Sequence, residues 1–172
     1  MTVPEYDDVY AALWPRLVRT AYAVSGDLGV AEDAVQTAFA KAFRSWRRIS
    51  RMGAPEAYLR RMAINEVLNG RRLARRRHEV SSAEPPERPA AASTDDALAH
   101  DEMWRALSTL PPRQRAVLVL RYYEDLSEQQ IADALGCRPG TVKSQASAAL
   151  ASLRSRLDLP SRAREGRIGG GS

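Results

Sequence analysis

The chain holds one cysteine, two phenylalanines and two histidines in 172 residues, and no long apolar run. The lone Cys137 excludes an intramolecular disulfide and fits a reducing compartment. His78 and His100 stand far from Cys137, so no metal-ligand spacing exists, and neither a metal nor another cofactor is expected. No phosphate-cradling glycine loop and no nucleophile motif occurs, so no enzymatic activity is expected. Nothing approaches the ~18 apolar residues of a membrane span, and no basic-then-apolar leader opens the chain. A cytoplasmic protein without a membrane partner is therefore predicted. Strand-like alternation is also missing, which points to an all-α fold.

What is present is charge in blocks. Residues 1–40 carry a net −4, residues 41–78 a net +10, residues 79–102 a net −6 and residues 103–172 a net +5. Two basic modules around an acidic spacer suggest two contacts with a polyanion, although solvated basic faces would look the same.

Helical periodicity supplies the organisation. Val9, Leu13, Leu17 and Ala21 mark a first helix ending near Ser25-Gly26-Asp27. Ala34, Val35, Ala38, Phe39, Ala42, Phe43, Trp46 and Ile49 predict a second, longer one with a wide apolar stripe. Pro55 is placed to open a third, carrying Leu59, Met62, Ala63 and Val67 into a run of arginines. Residues 79–96 are rich in Pro, Ser, Ala and acid with almost nothing large to bury, so they read as a linker. Helical pattern resumes near Ala97. The expectation is two small helical domains, 1–78 and 97–159, with a flexible acidic linker over 79–96 and a flexible tail over 160–172. A tether of about 18 residues typically spans roughly 20–25 Å and reaches much further when extended, so the domains could sit on separate DNA segments.

The segment from Pro111 to Leu157 reads as helix, short turn, helix. Ser127 and Gln130 have the spacing of a capping box. Gly136 sits where a left-handed C-terminal residue belongs, and Pro139 fits the first turn of the next helix. Val142, Ala146, Ala149, Leu150, Leu153 and Leu157 form an apolar stripe, and Lys143, Ser144, Gln145 and Ser147 lie off it. A helix-turn-helix presents this end of its second helix to the major groove. Thr141 and the first-turn N–H groups are placed to hold a phosphate, while Lys143 suits guanine and Gln145 adenine.

The first module has a different chemistry. Arg44, Trp46, Arg47, Arg48, Tyr58, Arg60, Arg61, Asn65, Asn69, Arg71 and Arg72 interleave guanidinium, aromatic and amide groups. That mixture suits single-stranded nucleic acid, although both rings also lie on apolar stripes and fit the core. Asp33, Gln36 and Phe39 recur at three-residue intervals and share a helix face only loosely; composition gives Asp33 no role beyond an acid near a helix start.

Taken together, AEDAVQTAFAKAFRSW, AYLRRMAINEVLNGRRLARR, LPPRQRAVLVLRYYEDLSEQQIADALG and GTVKSQASAALASLR resemble extracytoplasmic-function (ECF, group IV) RNA polymerase sigma factors, in particular the SigE-like actinobacterial subset. The resemblance implies a σ2-like helical bundle over 1–78 and a σ4-like helix-turn-helix domain over 97–159. It implies that Asp33, Gln36 and Phe39 dock on the clamp helices of the polymerase largest subunit, with the flap as a further contact. It assigns −10 recognition and melting to the segment holding Arg60, Arg61, Asn65, Asn69, Arg71 and Arg72. It assigns −35 reading to Thr141, Lys143, Ser144, Gln145 and Ser147. The implied partners are core polymerase, promoter DNA and an anti-sigma protein, with the free chain a monomer. Two departures stand out: Arg138 occupies the position where the family often has a small polar N-cap, and Ala148 the position where it usually has Arg. Loss of that guanidinium predicts a weaker −35 contact. The rival readings are a stand-alone helix-turn-helix regulator and an all-helical interaction adaptor.

Overall fold

The computed structural model describes residues 5–78 and 96–157, with side chains over 5–70 and 102–157. The linker over 79–95, the tail from 158 onward and the side chains of Arg71 and Arg72 lie outside the described residues. Every regular element among the described residues is helical. The order is α1 (Tyr6–Ser25), α2 (Leu28–Phe43), α3 (Trp46–Ile49), α4 (Pro55–His78), α5 (Asp96–Ser108), α6 (Pro112–Leu118), a π turn (Val119–Tyr123), α7 (Glu128–Leu135) and α8 (Pro139–Leu157).

Local sequence explains most boundaries. Gly26 ends α1 at φ 72°, its N–H returning to the Tyr22 carbonyl, and the Asp27 side chain caps α2 by accepting from the Val30 N–H at 2.9 Å. The predicted single helix through Ile49 is instead broken after Phe43. Ser45 leaves helical geometry at φ −123°, ψ 21°, and its N–H tightens onto the Ala42 carbonyl. The break lets Trp46 meet Tyr6 edge-on at 5.3 Å while Ile49 becomes 1% exposed. Burial of these side chains overrides helical continuity here.

In the second half, the π turn widens the helix: the Glu124 N–H reaches back to Val119, and that of Leu126 to Leu120. Asp125 then turns the chain at φ 53°. The apolar core runs without a gap across both halves: Leu17, Ala21, Val24, Leu59, Ile64 and Val67 belong to the same buried cluster as Val117, Leu120, Ile131 and Val142. A second, smaller cluster joins α5 to α8 through Ala106, Leu110, Leu118, Ala149 and Leu153. The two halves are thus packed against each other through α1 and α4 on one side and α6, the π turn and α7 on the other.

Candidate nucleic-acid interface and polymerase-facing surface

The helix-turn-helix is built from local rules. Ser127 Oγ accepts from the Gln130 N–H at 3.2 Å, and Gln130 Oε1 accepts from the Ser127 N–H at 2.9 Å, completing the capping box. Gly136 ends α7 at φ 61°, in the left-handed region where a Cβ would be strained. Arg113 donates to the Leu135 carbonyl at 2.9 Å, placing a cation on the C-terminus of α7 and tying α6 to the turn. Cys137 is half-buried in that turn.

On α8, Val142, Ala146, Ala149 and Leu153 are buried, and Leu150 and Leu157 are half-buried as edge members of the predicted stripe. Thr141, Lys143, Ser144 and Ser147 are exposed and Gln145 is half-buried. At 100° per residue, Thr141, Ser144, Ser147 and Ala148 point most directly away from the core, and Lys143 and Gln145 flank them. The outermost strip therefore carries short side chains, with the two long polar ones at its edges. The Ser144 hydroxyl donates to the Thr141 carbonyl at 3.0 Å. The first-turn N–H groups are less free than the sequence suggested, because those of Thr141 and Val142 both bond the Arg138 carbonyl. A phosphate here would rely on the Thr141 side chain and the exposed Arg138 instead.

α4 sorts the predicted −10 residues into two groups. Arg61 and Asn69 are exposed and Asn65 is half-buried on one outward face. Arg60 departs from the expectation: only 8% exposed, it turns inward to Glu56 at 2.7 Å and to Glu124 at 3.4 Å. In this arrangement Arg60 is not available to DNA. Arg44, Arg47, Arg48 and Arg51 are exposed around α3, beside the half-buried Trp46; that ring and Tyr58 pack against the core, so stacking by either is not favoured here.

On α2 the D-x-x-Q-x-x-F residues part company. Asp33 and Gln36 are exposed, but Phe39 is 1% exposed. Its ring lies 4.7 Å from Tyr10, 6.1 Å from Tyr6 and 6.2 Å from Trp14. Phe39 therefore clamps α2 to α1, and its ring is turned away from the surface that exposes Asp33 and Gln36. Tyr6 adds to the clamp by donating its hydroxyl to the Phe39 carbonyl at 3.2 Å. Burial, followed by the neighbouring Tyr10 and Asp7, raises the Tyr6 phenol above its ordinary value of 10.0. One turn along, Phe43 is 63% exposed, 4.9 Å from Tyr6, and falls within about 20° of Gln36 around the helix axis. The motif-based reading missed it. Its helical register with Gln36 was the available signal, obscured by an apolar stripe wide enough to include both phenylalanines.

Among the described residues, no helix is long and apolar enough to cross a membrane, and no cluster of His, Cys, Asp and Glu could hold a metal ion.

The family descriptions for sigma-70 region 2 and sigma-70 region 4 match residues 9–77 and 100–153, in that order. These two regions define the chain as a sigma factor. The RNA polymerase sigma-E factor of Streptomyces coelicolor is 37% identical over 166 residues, covering 95% of this chain and 93% of the relative. The ECF RNA polymerase sigma factor SigL of Mycobacterium tuberculosis is 35% identical over 153 residues, covering 87% of this chain and 84% of the relative. Among solved structures, the sigma factor RpoE of Bartonella quintana, in complex with the anti-sigma factor NepR, superposes with a TM-score of 0.72 at 25% identity, covering 90% of this chain and 97% of that one. The chain belongs to the ECF group of sigma-70 RNA polymerase sigma factors. It is an alternative sigma factor that directs transcription initiation; the stand-alone regulator reading is not favoured.

Proposed function

We propose that Asp33 and Gln36, together with the exposed ring of Phe43, form the contact with the clamp helices of core polymerase, and that Phe39 holds that surface in shape. Arg61, Asn65 and Asn69 face outward from α4 and are the −10 contacts, joined by Arg71, Arg72 and, once released from Glu124, Arg60. Thr141, Lys143, Ser144, Gln145 and Ser147 read the −35 element from α8, and the second module also meets the flap. The observation that carries this reading is the helix-turn-helix with its capping box intact and its polar α8 edge exposed, downstream of an α2 face that exposes Asp33 and Gln36. The chain does no chemistry itself; it supplies recognition and melting while polymerase makes the transcript. It acts in the cytoplasm as a monomer when free. The fold shared with RpoE in its NepR complex supports an anti-sigma protein as a further partner. The two-module boundaries at 1–78 and 97–159 belong to this proposal. Run-off transcription with purified core polymerase tests it: promoter-dependent transcripts are expected, and DNA binding without transcripts would sink it.

Ala148 is exposed on the outward strip of α8, where a guanidinium would reach a phosphate. Ala148→Arg is expected to tighten −35 binding regardless of base sequence and to steepen the log–log salt dependence by about 0.9. Fluorescence anisotropy of holoenzyme on promoter DNA across a salt series measures both. An unchanged slope would show that Ala148 is not beside the backbone.

A further inference from the structure

Four arginines around α3 enter none of the contacts assigned above. Arg44, Arg47, Arg48 and Arg51 are exposed, and none has a carboxylate partner among the described residues. The local sequence gives the reason, since residues 41–54 contain no Asp or Glu. Glu56, the next acid along the chain, is held by Arg16 at 2.8 Å and Arg60 at 2.7 Å, and Glu66 by Lys41. An unneutralised group of like charges repels itself, and a polyanion laid across it removes that repulsion.

The place of the patch says which polyanion. Arg44 follows directly on α2, whose exposed face carries Asp33, Gln36 and Phe43. Arg51 lies just before Pro55 opens α4, the helix that exposes Arg61 and Asn69. α3 itself packs chiefly on α2. The patch thus links the polymerase-facing helix to the −10 helix, and a strand parted from the duplex at α4 and drawn toward polymerase crosses it.

Its chemistry says how that strand is held. α3 is a single turn, too short to fill a groove of duplex DNA. Trp46 and Tyr58 pack on the core, so the rings offer no free stacking face. Ser45 is half-buried and Ser50 buried, so the patch exposes guanidinium groups without amides or hydroxyls. What remains is affinity for phosphate without reading of bases. From Arg44 to Arg51 the chain covers roughly 10 Å at helical rise, the length of about three phosphates at 3.4 Å each along one strand.

We propose that Arg44, Arg47, Arg48 and Arg51 form a sequence-independent track for the phosphates of the displaced DNA strand, holding it where it leaves the −10 element. The proposal rests on the placement of the −10 contacts on α4. It puts salt-sensitive grip on melted DNA in the first module, while the outward strip of α8 carries short side chains and no guanidinium.

Holoenzyme binding to two forked promoter fragments tests the track, one ending its single strand at the −10 element and one continuing it by about six nucleotides. The variant Arg47→Gln/Arg48→Gln/Arg51→Gln keeps Arg44, which borders Phe43, and should melt like the parent. On the longer fragment its log–log salt dependence should be shallower by about 2, from ~0.7 for each of three phosphates. The parent's advantage there should shrink on the order of tenfold over a fourfold rise in salt. On the shorter fragment the two should match. Uncharged methylphosphonate linkages in the extension should abolish the parent's advantage, and randomising its bases should leave it intact. Equal slopes on the longer fragment, or an equal loss on both fragments, would remove the track. So would weaker binding of the variant to core polymerase without DNA, which would make these arginines a protein contact. Arg61→Ala, expected to weaken both fragments alike, tests the α4 assignment separately, and run-off transcription by the parent tests the sigma reading.

Discussion

Phe39→Ala is expected to destabilise the chain by about 3–5 kcal/mol, and Phe43→Ala to leave stability nearly unchanged while weakening polymerase binding at least tenfold. The first value follows from emptying a fully buried aromatic site, where the neighbouring Tyr6, Tyr10 and Trp14 rings can collapse only partly into the space. For a protein of this size it corresponds to a melting temperature lowered by roughly 6–20 °C. The second follows from the exposure of Phe43 on the same helix face as Gln36, two turns further on, where an aromatic ring within a contact is a frequent anchor. Thermal melts and a polymerase-binding titration, run on both variants, separate the two roles. If Phe39→Ala melts like the parent but no longer binds polymerase, the assignment of Phe39 to the core is wrong.

Arg115→Ala is expected to destabilise the chain by about 3–5 kcal/mol by urea unfolding, from roughly 1–3 kcal/mol for each buried carbonyl left without a donor. The guanidinium donates to the Ser108 carbonyl at 2.8 Å and the Leu110 carbonyl at 3.3 Å as well as to Val24, so it joins the end of α5 to α6 before it reaches α1. Removing it leaves buried carbonyls without a donor as well as a cavity. Arg115→Lys should recover only part of the loss, because one ammonium cannot reproduce the planar fork that spans three acceptors. A substitution at the exposed Arg105 serves as the control, expected within about 1 kcal/mol of the parent. Equal effects at positions 105 and 115 would contradict this account.

Legibility in the sequence followed the range of the interactions. The helix-turn-helix was readable because its determinants are local: a capping pair three residues apart, one glycine needing positive φ, one proline in a first turn. The end of α1 and the start of α4 were readable for the same reason. The break after Phe43 was not, since it comes from Trp46 and Ile49 finding partners on other helices. Nor could the sequence separate Phe39 from Phe43 within one wide apolar stripe. The sequence groups Arg60 with its neighbours as a nucleic-acid ligand, and its burial depends on Glu124, 64 positions away, on a carboxylate that nothing nearby marks as a partner. The continuity of the core between the halves is of this kind too. A spacer that looks like a tether sets how far two modules can separate, and leaves open whether their surfaces match.

The solitary thiol has a practical consequence. Cys137 is half-buried at the corner where α7 gives way to α8, and no second cysteine competes for a maleimide. One fluorophore attached there without altering the sequence would sit at the rim of the DNA-reading helix. Its brightness or polarity response would then follow promoter capture in real time, with the reporter carried on the native sequence.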